Sequence, residues 1–137
     1  MPAEAVGGVS GRPVDSTSAG TAEPAPDQVL DVTVERTEPD TAVLRVSGEI
    51  DMLTTPVLQA AVDKQIAQDI RTLVIDLRPV SFLASSGLAA LVEAQRTAQA
   101  AGVTLRLVGT SHAVTRPIVA TGLRDVFELY GDVESAI

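Results

Sequence analysis

Two adjacent hydroxyls, Ser85 and Ser86, stand in the stretch FLASSGLAAL between two apolar runs, and no other pair in the chain is so well placed for chemistry. A serine in such a position can serve as a nucleophile, as a phosphate acceptor or as a helix cap. The first use needs a base, and the chain has a single histidine, His112, and no cysteine. That composition lends no support to a serine–histidine pair, a cysteine nucleophile, a thiolate zinc site or a histidine metal cluster. The expectation is a protein without metal, cofactor or enzymatic turnover. His112 itself, beside Ser111, reads as a first-turn surface residue.

Two carboxylates are the remaining candidates: Asp51, closing the run Gly48-Glu49-Ile50-Asp51, and Asp76, near the end of TLVIDL. A phospho-aspartate receiver needs an acidic pair after its first strand and a lysine after its last. Here the only lysine, Lys64, falls on the first helix, and the first strand ends in no acidic pair. Asp76 therefore reads as a strand-end residue bonding to nearby backbone. An exposed Asp51 reads, on sequence alone, as solvated surface. Neither a G-x-x-x-x-G-K-S/T loop nor a G-x-G-x-x-G fingerprint occurs, which leaves weak nucleotide binding as an alternative without a motif.

The elements that must position these residues follow from periodicity. Leu30, Val32 and Val34 alternate with polar residues as a half-exposed strand, Pro39 and Asp40 turn the chain, and Ala42–Val46 returns as a second strand. Gly48–Asp51 reads as a short loop. Thr55 before Pro56 marks a helix start, with Leu58, Ala61, Val62 and Ile66 on one face. The continuous apolar run Thr72–Leu77 is a strand buried on both faces. A second helix spans about Ser85 to Ala101 and ends at Gly102, and Val103–Val108 is a fourth strand. Ser111 caps a third helix closing at Gly122, in which Pro117 predicts a kink or a shortening. Val126–Leu129 is a weaker fifth strand, and Asp132 opens at most a terminal helix stub. This ββαβαβαβ order predicts an α/β chain with an α+β-like mixed sheet of four to five strands, parallel except for one N-terminal hairpin.

On that frame the serines lie where a buried strand turns into a helix, the place where open α/β sheets collect ligands. Ser85 or Ser86 serving simply as the helix cap is the plainest account. Gly87 points further: inside a first helical turn it costs ~1 kcal/mol relative to alanine, which suggests a close approach to the backbone. Phe82 is divided evenly between core and contact surface, while Phe127 and Tyr130 read as core and rim.

A chain of 137 residues accommodates one domain, and its charge of −8 argues against nucleic acid or an anionic membrane as partner. Residues 1–27 hold four of the eight prolines and, after Met1, no hydrophobic side chain larger than valine. They are expected to be a disordered tail, with the domain at 28–137. With no apolar run near the roughly 18 residues of a membrane span and no signal pattern, a cytoplasmic location is expected.

Gly48-Glu49-Ile50-Asp51, LVIDL and Val80-Ser81-Phe82-Leu83-Ala84-Ser85-Ser86-Gly87-Leu88, taken together, resemble the anti-sigma-factor antagonists of bacteria, built on the STAS domain. The resemblance covers about residues 29–134 and is most specific around Ser85. It implies a STAS-type fold and a protein that binds an anti-sigma factor, itself a GHKL-type serine kinase, and so frees a sigma factor. It further implies that the kinase phosphorylates the first serine of the pair, Ser85 (with Ser86 the alternative), and that a PPM-type phosphatase reverses this. Asp51 matches an acidic loop residue of the kinase-facing surface, and Phe82, Leu83, Ala84, Ser86 and Gly87 complete the loop expected to meet the partner. At Ala84 the chain departs from the family pattern, in which aspartate is usual. A small nucleotide-binding signalling module on the same domain is the alternative.

Overall fold

A computed structural model describes residues 30–137; the expected tail at 1–27 lies outside the described residues. The elements run β1 (Asp31–Glu38), β2 (Thr41–Ile50), α1 (Thr55–Ile66), β3 (Thr72–Asp76), β4 (Val80–Leu83), α2 (Ser85–Ala100), β5 (Thr104–Val108), α3 (His112–Ala120), β6 (Glu128–Tyr130) and α4 (Val133–Ala136). The sheet is mixed, in the order β1-β2-β3-β5-β6, with β4 pairing β2 off this path. Only β1–β2 is antiparallel; β2–β3, β2–β4, β3–β5 and β5–β6 are parallel.

The expected sheet of four to five strands is thus one strand short. Val80–Leu83 forms β4, and the expected loop at Gly48–Asp51 is mostly the end of β2. Strand β2 has ten residues and serves two partners in turn. Thr41–Arg45 pair with Thr72–Asp76 of β3, and Gly48–Ile50 pair with Val80–Leu83. The register shifts between Gly48 and Glu49, where Gly48 takes a φ of 119°. A left-handed backbone of that kind favours glycine.

Period-two alternation divides the core into two layers. Leu44, Leu73, Ile75 and Leu107 face α1, α2 and α3, meeting Leu58, Val62, Leu91, Ala94, Val114 and Ile118. Val43, Val74 and Val108 face the other side, covered by Ala136 and, in part, by Tyr130 and Val133. Strand β3 is therefore buried on both faces, as its unbroken apolar run predicts.

The helix ends differ from expectation in three places. The cap of α1 is Thr54 rather than Thr55, with Pro56 in the first turn. The residue capping α2 is Ala84, in extended conformation and without a side-chain hydrogen bond, so neither Ser85 nor Ser86 is the cap. Helix α3 continues through Pro117 to Ala120. The backbone bond lost at that proline is offset by the buried Val114 and Ile118 on its inner face. The terminal stub is real: α4 is held by Asp132, whose carboxylate accepts from the Ser135 N–H at 2.8 Å.

Candidate functional site

Strands β2 and β4 end side by side, and that brings the candidate residues together. Ile50 pairs with Leu83, and the Ala84 N–H donates to the Ile50 carbonyl at 2.8 Å, one further rung past the strand. Helix α2 begins at the next residue, its first bond running from the Leu88 N–H to the Ala84 carbonyl at 2.9 Å. Ser85 is consequently exposed on the first helical residue, while Ser86 is half-buried. Asp51 follows Ile50 directly, so Asp51 and Ser85 stand at the ends of two paired strands.

Gly87 explains itself from this geometry. A Cβ there would meet Ile50 Cγ2 at 2.5 Å, the Ile50 carbonyl oxygen at 2.9 Å and Leu83 Cδ1 at 2.9 Å. The close approach that the sequence suggested is to the protein's own β2. Gly87 and Leu83 (4% exposed) are buried. Their inclusion in a contact surface is corrected accordingly: they seat the loop and present nothing outward.

Asp51 is not a free surface carboxylate. Its Oδ1 accepts from the Leu53 N–H at 2.9 Å and the Thr54 N–H at 3.1 Å. The Thr54 hydroxyl answers by accepting from the Asp51 N–H at 2.9 Å and donating to the Glu49 carbonyl at 2.8 Å. This reciprocal arrangement satisfies backbone donors ahead of α1 and fixes the turn. The turn in turn holds out two bare apolar side chains, Met52 (75% exposed) and Leu53 (71%), with Val57 half-exposed on the first turn of α1. Phe82 is 51% exposed on β4, which places it on the surface rather than in the core. Met52, Leu53 and Val57 were missed by sequence reasoning. Their only signal was apolar type inside a predicted loop and helix start, where the same residues could as well have been core.

The chemistry available here is that of an acceptor. The first turn of α2 contains no acidic residue, and no side chain caps it, so its orphan N–H groups and positive dipole end face outward beside Ser85. His112, exposed at the start of α3, makes no hydrogen bond to either serine among the described residues. Nor do the described residues contain a group of three His, Asp or Glu side chains able to hold a metal. Among those residues no helix is long and apolar enough to cross a membrane.

Asp76 sits apart, fully buried at the end of β3. Its carboxylate accepts from the Arg78 N–H at 3.1 Å, Arg78 Nε and Nη2 at 2.9 Å each, and Arg45 Nε at 3.2 Å. The bond to nearby backbone is as expected; the two guanidinium partners were not foreseen. Burial pushes the Asp76 carboxyl up, but the hydrogen bonds from Arg78 and Arg45 outweigh it and leave the group below its ordinary value.

The comparisons with known proteins agree with one another. Residues 32–136 match the STAS domain. The chain is 35% identical over 98 residues to the anti-sigma-F factor antagonist RsfB of Mycobacterium tuberculosis, covering 70% of this chain and 78% of that protein. It is 30% identical over 108 residues to the anti-sigma-B factor antagonist of Bacillus subtilis, covering 79% of this chain and 97% of that protein. The crystal structure of an anti-sigma factor antagonist from Mycobacterium paratuberculosis superposes with a TM-score of 0.73 at 38% identity, covering 82% of this chain and 93% of that one.

Proposed function

This chain belongs to the STAS domain family, and from that premise we propose that it is an anti-sigma-factor antagonist, binding an anti-sigma factor so that a sigma factor is released. The observation that carries the reading is an exposed Ser85 on the first residue of α2, just after β4 with its exposed Phe82, while β4's partner β2 leads into the turn with exposed Met52 and Leu53. Exposed apolar side chains gathered at one rim mark a protein-binding surface. The relatives' names say what class of protein that partner is. The contact surface of this proposal is Phe82, Ala84, Ser85, Ser86 and Asp51, extended by Met52, Leu53 and Val57, with Leu83 and Gly87 beneath it.

The same geometry supports control by phosphorylation. Phosphorylation of Ser85 adds about −1.5 to −2 charges and three acceptor oxygens. At an uncapped helix N-terminus the protein's own N–H groups tolerate that anion, so the fold survives. A partner packed over apolar neighbours would instead bury an unmatched dianion, at a cost of several kcal/mol. The kinase is the anti-sigma factor itself, of GHKL type, and a PPM-type phosphatase restores binding. The chain acts in the cytoplasm by binding rather than by turnover. Among the described residues nothing favours the nucleotide-binding alternative.

Incubation with its cognate anti-sigma kinase and ATP, followed by mass spectrometry, tests the assignment. Phosphate on Ser85, absent from Ser85→Ala, is expected. Phosphate on Ser86 or on a threonine would move the acceptor elsewhere.

A further inference from the structure

On the face of the sheet turned away from α1 and α2 lies a cleft of about 310 Å³, at the lower end of the range for small-molecule sites. Its walls come from β1, β2, the turn after β3 and the end of α4. We propose that this cleft binds a small zwitterion, carrying a carboxylate and an ammonium group, of the size and class of an α-amino acid.

One buried anion, Asp76, holds two cations that line the cleft. Asp76 engages Arg45 only through Nε, and Arg78 through its backbone N–H, Nε and Nη2. Both guanidiniums are therefore held in fixed orientation by a carboxylate that is itself fully buried. Both also line the cleft, with side chains 46% and 43% exposed. The terminal nitrogens of Arg45 and Nη1 of Arg78 make no hydrogen bond among the described residues. They leave planar N–H edges of the kind that grip a carboxylate in pairs. Two cations share that one anion, and Asp132 and Glu134 lie near enough to favour the charged form of Arg78 as well.

The same lining also carries carboxylates. Glu35 on β1 and Glu134 on α4 line the cleft, and neither forms an ion pair with Arg45 or Arg78 among the described residues. Two carboxylates in the lining disfavour a simple anion and favour a ligand with a cationic end. A lining that carries guanidiniums and carboxylates together is the complement of a zwitterion.

The test is a titration of the full chain, followed by NMR, with the common α-amino acids and, as separate arms, acetate, inorganic phosphate and methylamine. Saturable shifts at Arg45 and Arg78 with at least one amino acid are expected, at a dissociation constant of about 1 mM or tighter. Acetate, phosphate and methylamine should each bind at least about tenfold more weakly, a difference of about 1.4 kcal/mol. Arg78→Gln should abolish the shifts. Glu35→Gln, an exposed change that leaves the buried Asp76 cluster intact, should weaken the amino acid while strengthening acetate. Acetate or phosphate binding as tightly as every amino acid, or no saturable shift with any amino acid up to about 10 mM, would overturn the proposal.

Discussion

At the scale of single residues, position 87 leaves the least freedom. A methyl group there would stand 2.5 Å from Ile50 Cγ2 and 2.9 Å from backbone. Gly87→Ala should accordingly destabilise the domain by about 1–3 kcal/mol, the usual cost of overpacking, in chemical denaturation; an unchanged midpoint would show that α2 can lift away from β2. Asp51 carries two duties, since its carboxylate holds the turn that displays Met52 and Leu53. A merely solvated carboxylate, as Asp51 reads in the sequence, would be dispensable for stability. The hydrogen bonds say otherwise: Asp51→Ala should cost about 0.5–2 kcal/mol, as loss of a capping side chain does, and should weaken the partner as well. A melting temperature equal to wild type would show that the turn holds without it. Ala84 offers the reverse change. It caps α2 with no side chain able to accept from the exposed N–H groups, so Ala84→Asp should raise stability by about 0.5–2 kcal/mol. Thermal unfolding that shows no gain would mean that those N–H groups are already satisfied.

At the scale of elements, the sheet owes its shape to β2, long enough to pair with β3 and then with β4. Strands β1, β2, β3 and β5 were legible because alternation or an unbroken apolar run marks each of them. Strand β4 was not. It has four residues following Pro79, only Val80 and Leu83 point inward, and no period can be read from so short a run. The loop reading of Gly48–Asp51 failed for a related reason, since a glycine and two acids mimic turn chemistry even where the backbone goes on pairing. The serines' address, at a strand-to-helix junction, was read correctly. Their cap role was not, because cap position depends on the exact residue at which the helix begins. The Asp76 cluster was invisible for want of any local pattern linking Arg45 to Asp76, 31 residues apart. It makes a prediction of its own. The Asp76 carboxyl titrates below the value of 3.8 it has when free, so it stabilises the fold above that pH, and the contribution is lost as pH falls through the lower folded value. Asp76→Asn, which removes the anion that both half-exposed guanidiniums bond to, should cost about 1–3 kcal/mol at neutral pH through the lost charge-assisted hydrogen bonds. It should also flatten the loss of stability between about pH 5 and pH 2. A variant whose acid unfolding profile matches wild type would mean that other carboxylates dominate that limb.

At the scale of the whole molecule, the described residues present two distinct faces. The rim at the ends of β2 and β4 carries Ser85 among apolar side chains, while the open sheet face carries the charged cleft. The buried core runs beneath both, so a charge added at Ser85 changes the surface without reaching the packing that holds the fold. On the proposal above, the relatives' names supply the class of partner, and the exposed place of Ser85 at the start of α2 is what would let one hydroxyl control it. The most direct test of this account is calorimetric titration of the anti-sigma partner with wild type, Ser85→Ala and Ser85→Glu. Ser85→Ala should bind as wild type does, because a small uncharged side chain preserves the surface. Ser85→Glu, carrying one charge where phosphate carries nearly two, should bind about 1–3 kcal/mol more weakly, roughly 5- to 150-fold, with a native circular dichroism spectrum. Equal affinity for Ser85→Glu and wild type would contradict the account, because the serine would then lie outside the interface.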